Sequence, residues 1–189
     1  MGGIGKTTLA SSIFSEISDK FDGSSFLANI RDFPTSRGLV RLQKQLIFEI
    51  LGERNINICD VHIGSIEIMR RLRHKSVLVI LDDVDQLEQL QALAGMHDWF
   101  GLGSRIVITT RNRHLLVSHG VDYVHMVNGL NDGEALKLFC WKAFRNCLPT
   151  PDYFGLSLQM VDYAGGLPLA LNVLGSFLFG RSKAKWKDA

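Results

Sequence analysis

Val77-Leu78-Val79-Ile80-Leu81 runs without a polar break into Asp82-Asp83, and no other stretch constrains the fold as much. A strand with one wet face alternates apolar and polar residues, whereas an unbroken β-prone run belongs to a strand covered on both faces, as in a parallel sheet. Ser104 to Thr110 repeats the pattern and ends at Thr109-Thr110-Arg111. Ser25 to Ile30 is a shorter strand candidate and Tyr123 to Val127 a last one. Helical periodicities separate them: Thr7 to about Asp19, Leu39 to Leu51 with a stop at Gly52, about Ser65 to Arg73, Gln86 to Ala94, and Arg113 to Ser118. Strands alternating with helices predict a three-layer α/β domain built on a parallel sheet.

The pattern changes near Gly129. Asn131 with Glu134 makes a capping-box start to a helix reaching about Phe144. A second helix is expected over Tyr153 to Tyr163, and Gly165-Gly166 ends it. Pro168 then sits in the first turn of an apolar helix, where its missing N–H costs nothing. The polar stretch from Arg181 to Ala189 reads as an unfinished element. These patterns predict an α/β domain over residues 1–128 and a small all-helical subdomain over 129–189.

Chemistry enters at the first residues. Gly2-Gly3-Ile4-Gly5-Lys6-Thr7-Thr8 has the form of a phosphate-binding loop. Gly3 and Gly5 free the backbone to turn its N–H groups toward phosphate oxygens, and Ile4 and Thr8 lie within the same cradle. Lys6 supplies a cation for the β- and γ-phosphates, and the Thr7 hydroxyl is a Mg²⁺ ligand candidate. The helix that follows adds the positive end of its dipole. The full pattern begins with one more glycine, which would precede Met1, as would the strand that feeds such loops. The chain is therefore expected to be a piece of a longer protein whose sheet has its first strand missing here.

Asp82, at the end of the hydrophobic run, is the second candidate Mg²⁺ ligand. Asp83 is placed to orient or deprotonate an attacking water, although a carboxylate before a helix also serves as a cap. Arg111 falls at the carboxyl end of a buried strand, where open α/β sheets bind their ligands. It could detect a terminal phosphate through a forked hydrogen bond or simply pair with a nearby carboxylate. Gly165 to Leu171 carries no catalytic side chain, and its residues alone favour a structural role. Cys140 lies among apolar residues at helical spacing and is expected in the core.

Composition narrows the rest. Hydrophobic residues make up 46% and charged residues 21%, as in an ordinary globular protein. A formal net charge of +2 offers no electrostatic case for binding nucleic acid or a membrane surface. Cys59, Cys140 and Cys147 are odd in number, scattered, and form no C-x-x-C pair, which favours reduced thiols in an intracellular setting. The six histidines show no metal-ligand spacing.

Taken in order, these motifs resemble the NB-ARC nucleotide-binding module of plant disease-resistance proteins, within the STAND class of P-loop NTPases. The resemblance rests on the glycine loop, F-L-A-N-I-R-D at Phe26 to Asp32, L-V-I-L-D-D-V-D at Leu78 to Asp85, G-S-R-I-V-I-T-T-R at Gly103 to Arg111, L-K-L-F-C-W-K-A-F at Leu136 to Phe144, and G-L-P-L-A-L at Gly166 to Leu171. Asp85 after the acidic pair resembles the subfamily with an N-terminal TIR domain. The resemblance implies an ADP/ATP-exchanging switch with slow ATP hydrolysis, Mg²⁺ as cofactor, and TIR and leucine-rich-repeat domains elsewhere in the parent. It further implies homo-oligomerisation on activation, a cytoplasmic or also nuclear location, an Arg111 that senses the γ-phosphate, and a Pro168 that contacts the bound nucleotide. The competing reading is a general P-loop ATPase of the AAA+/STAND type that spends ATP turnover on mechanical or regulatory work.

Overall fold

A parallel sheet of three strands, in the order β1 (Gly23–Leu27), β2 (Val77–Val84), β3 (Arg105–Thr110), carries the first part of the chain. The computed structural model describes residues 1–188. In β2 the residues Val77, Val79 and Leu81 face a large core shared with α2 (Ser36–Leu51), α3 (Val61–Leu72), α4 (Leu87–Ala94) and α5 (Arg113–His119). Leu78 and Ile80 face the other way, onto Ala10, Phe14 and Ile17 of α1 (Lys6–Ile17). The unbroken apolar run is thus buried on both faces, as a central strand between two helical layers requires. This is the α/β P-loop NTPase fold that the pattern predicts.

In the α/β part, β1 and the stretch after α5 depart from the strands expected there. The first strand begins at Gly23 and ends at Leu27, and Ile30 leaves the sheet in a 3-10 turn over Ile30–Asp32. Asn29 turns the chain there at φ 52°, a left-handed conformation that asparagine tolerates. A Cβ on Gly23 would lie 2.7 Å from Ile50 Cγ2, so glycine lets α2 press against the start of β1. Tyr123 to Val127, expected to be a strand, has no regular structure. Tyr123 and Met126 are exposed, and the stretch has no ladder partner among the described residues.

The helices that follow are α6 (Asp132–Phe144), α7 (Phe154–Ala164), α8 (Pro168–Leu178) and α9 (Lys183–Lys187). The capping box forms as expected, with Asn131 Oδ1 accepting from the Glu134 N–H and Glu134 Oε2 accepting from the Asn131 N–H. Pro168 is the first residue of α8, and Gly165 and Gly166 both have positive φ. The core of this bundle holds Phe139, Cys140, Val161, Leu171 and Leu178. It also holds Trp186, so the polar tail is corrected to a short helix with a fully buried tryptophan.

Two compact units account for these elements. One is Thr7–Val124; the other joins Met1–Lys6 to the chain from His125 onward. All three cysteines are free thiols, and only Cys140 is buried. No helix among the described residues is long and apolar enough to cross a membrane.

Candidate functional site

The α/β unit gathers its chemistry at the carboxyl ends of its strands, where a β-bulge sets the geometry. Leu81 pairs with Ile108 and Val84 with Thr110, so Asp82 and Asp83 together oppose the single residue Thr109. A bulge breaks the two-residue alternation and re-aims side chains. Asp83 adopts φ 54°, rare for a residue with a Cβ.

Thr109 joins the two aspartates. Its hydroxyl donates to Asp82 Oδ1 at 2.7 Å and accepts the Asp83 N–H at 2.9 Å. The Thr7 hydroxyl, on the second residue of α1, donates to Asp82 Oδ1 at 2.9 Å and lies 3.1 Å from Oδ2. Asp82 is fully buried, and these hydroxyls meet the need of a buried carboxylate for hydrogen-bond donors.

Asp83 meets arginines instead. Arg111, immediately after β3, brings Nε to 3.4 Å from Asp83 Oδ1 and Nη2 to 3.5 Å from Oδ2. Arg31, in the turn after β1, brings Nη1 to 3.5 Å from Asp83 Oδ2 and Nε to 3.2 Å from Asp85 Oδ2. Sequence reading singled out Thr7, Asp82, Asp83 and Arg111, and the fold brings these four together. It missed Thr109 and Arg31, although both stand inside motifs already quoted. Their signal was position: each follows or ends a strand beside β2.

The other predicted residues belong to the second unit, except Thr8, which lies on α1. Gly3 and Gly5 have φ 74° and 96°, which explains why glycine stands at both. The Gly3 carbonyl accepts the Leu169 N–H at 3.2 Å, and a Cβ on Gly3 would lie 2.8 Å from Leu169 Cβ. The loop backbone is thereby tied to the first turn of α8, where Pro168 sits half-buried. The Lys6 ammonium donates to the Met1 carbonyl at 2.8 Å. Ile4 is half-buried, while Thr8 is exposed and its carbonyl accepts from Ser12 Oγ at 3.1 Å.

A glycine loop opening a helix, an acidic pair ending a buried strand and an arginine after the next strand make an ordered set, and comparison with known proteins places the chain that carries it. The NB-ARC domain family matches residues 1–148. The chain belongs to the NB-ARC family. It is 46% identical over 188 residues to the disease resistance protein RPV1 of Vitis rotundifolia, covering 99% of this chain and 13% of that protein. RUN1, a disease resistance protein of the same species, is 46% identical over 189 residues, covering 100% of this chain and 14% of RUN1. The TMV resistance protein N of Nicotiana glutinosa is 43% identical over 196 residues, covering 100% of this chain and 17% of that protein. The chain thus spans well under a fifth of the length of these relatives. As an NB-ARC domain it is a nucleotide-binding module.

The donor set also suits a hard cation. Thr7 and Asp82 offer only oxygen, and Mg²⁺ is typically held by one or two carboxylates with waters and substrate phosphates completing its shell. No group of three His, Cys, Asp or Glu side chains that could hold a metal occurs among the described residues. Thr7 and Asp82 by themselves offer a partial shell of oxygen donors.

Proposed function

We propose that this NB-ARC chain is the ADP/ATP-exchanging switch of a plant intracellular immune receptor, with slow ATP hydrolysis and defence signalling as output. The observation that carries the reading is the convergence of Thr7, Asp82, Thr109, Asp83 and Arg111 at the carboxyl ends of adjacent strands. In this reading Gly3, Ile4, Gly5, Lys6, Thr7 and Thr8 cradle the phosphates, and Pro168 contacts the nucleotide. Mg²⁺, held by Thr7 and Asp82, would neutralise phosphate charge. Asp83 takes the proton of the attacking water, and Arg111 distinguishes ATP from ADP by engaging the terminal phosphate. The division into a nucleotide domain over 1–128 and a helical subdomain over 129–189 belongs to the same proposal. So do the TIR and leucine-rich-repeat domains of the parent, its homo-oligomerisation, and its cytoplasmic or also nuclear location.

A switch needs its two nucleotides to differ in affinity between conformations, typically by about 1–3 kcal/mol. Arg111 is the natural source, because only ATP offers it a third phosphate. The test is thermal or urea unfolding of the full-length protein with and without Mg-ADP. At a ligand concentration near 100 Kd the nucleotide should add about 2.7 kcal/mol of stability. Lys6→Ala should abolish that gain; an undiminished gain in the variant would refute the assignment. Very slow multiple turnover fits a switch, and rapid cycling would point to an ATPase machine instead.

A further inference from the structure

Arg31 occupies a place in this cluster that the proposed roles do not account for. Asp83 stands at positive φ in a bulge, a backbone that does not by itself fix where its carboxylate points. Two guanidinium groups reach that carboxylate, and they differ in what else holds them. Arg111 is about half exposed, and among the described residues its side chain has no other ion-pair partner than Asp83. Arg31 is pinned at both ends. Its Nη1 reaches Asp83 Oδ2 while its Nε is 3.2 Å from Asp85 Oδ2.

A single buried side chain fixes both anchors. Gln89 Nε2 donates to the carbonyl of Ile30, the residue before Arg31, at 3.3 Å and to Asp85 Oδ1 at 3.1 Å. Gln89 Oε1 accepts the N–H groups of Asp85 and Gln86 at 3.0 and 3.2 Å. The turn that presents Arg31 and the carboxylate that holds it are therefore set by the same glutamine, which is fully buried.

We propose that Arg31 is the positioning residue for Asp83. It holds the carboxylate by Oδ2 when Arg111 turns to a terminal phosphate, leaving Oδ1 free to accept the proton of the attacking water. A fork that engages Asp83 and Asp85 together defines direction as well as charge, which a single ammonium would not do. This inference rests on the nucleotide-switch reading and adds to it the group that keeps the base aimed in the ATP state. Asp85 keeps its Gln89 partner when Arg31 is replaced, so the loss falls on the aim of Asp83.

The experiment uses the full-length protein with Mg-ATP and Mg-ADP, measuring single-turnover hydrolysis and equilibrium nucleotide affinity side by side. Arg31→Gln should lower hydrolysis by about tenfold or more, a part of the roughly 10²–10⁴-fold that a positioned proton acceptor contributes. Affinity for both nucleotides should stay within about twofold, because Arg31 touches neither phosphate nor metal ligand in this scheme. Arg31→Lys, which keeps the charge but not the fork, should recover part of the lost rate. In an Asp83→Asn background, Arg31→Gln should change nothing further, since no base remains to aim. Unchanged or faster hydrolysis in Arg31→Gln overturns the proposal, as does an equal loss of affinity and rate in both Arg31 variants. Parent protein that binds no nucleotide would instead overturn the switch reading itself, and this inference with it.

Discussion

Thr109 is the residue on which the acidic pair depends. Its hydroxyl is donor to one aspartate and acceptor for the backbone of the next, in a position that is itself buried. Thr109→Val keeps the β-branched shape and removes only that oxygen. The Asp83 N–H then loses its acceptor, and Asp82 keeps Thr7 as its remaining hydroxyl donor. A buried polar group left without its partner costs about 1–3 kcal/mol. Thr109→Val should therefore lower the urea midpoint with an unchanged slope, the signature of lost stability without altered compactness. Thr109→Ser retains the hydroxyl and deletes one methyl, a loss of about 0.8 kcal/mol. A valine variant as stable as wild type would mean that the bulge relaxes to satisfy both groups elsewhere. Thr109 could be placed from sequence at the end of a buried strand. That it faces two residues instead of one could not, because the bulge depends on pairing register between strands distant in sequence.

Among the elements, legibility followed periodicity and length. The strand β2 is apolar from Val77 to Leu81, and α2 repeats its apolar positions over four turns before Gly52 caps it at φ 72°. Both were plain in the sequence. Tyr123 to Val127 was misread because β-prone residues make a strand only when a ladder partner exists. The expected helix from about Ser65 begins earlier, at Val61, where Asp60 caps it by accepting the Ile63 N–H at 2.9 Å. Asp60 three residues before Ile63 is the sequence signal for that earlier start. The short α5 carries a pH dependence of its own. Burial holds His119 below its ordinary value near 6.5, with the Ala94 backbone opposing and His97 adding to the shift. Above the ordinary value the imidazole is neutral in folded and unfolded chains alike, and it contributes nothing to pH dependence. As pH falls below about 6.5 the unfolded chain takes up a proton that the folded state resists, so stability declines. Replacing His119 with Gln should flatten this part of the stability profile below pH 6.5, read by urea unfolding at each pH. An identical slope in the variant would place the titrating group elsewhere.

At the scale of the whole molecule, one tryptophan shows where composition misleads. Arg181 to Ala189 contains four lysines or arginines around Trp186, and five helical residues are too few for a periodicity to emerge. Trp186 nevertheless anchors the helical core. Its indole donates to the Leu178 carbonyl at 3.1 Å, stacks on Phe144 at 5.2 Å between centroids, and meets Phe139 and Tyr153 edge-on at 5.7 and 5.0 Å. Truncating a buried tryptophan to alanine costs about 3–5 kcal/mol through lost contacts and the cavity left behind. Cys140 lies in the same core and reports on it directly. Burial pushes its thiol up to about 11, while Cys59 and Cys147 are exposed. In native protein at pH 8, two thiols should react quickly with an alkylating or disulfide reagent, and Cys140 only when the bundle opens. Trp186→Ala should then speed the labelling of Cys140 by about a hundredfold or more, since each 1.4 kcal/mol of lost local stability raises the open population tenfold. Labelling of Cys59, at its exposed position, provides the internal control. Unaltered Cys140 labelling in the variant would mean that the bundle closes without its tryptophan, and that the short last helix adds surface and not core.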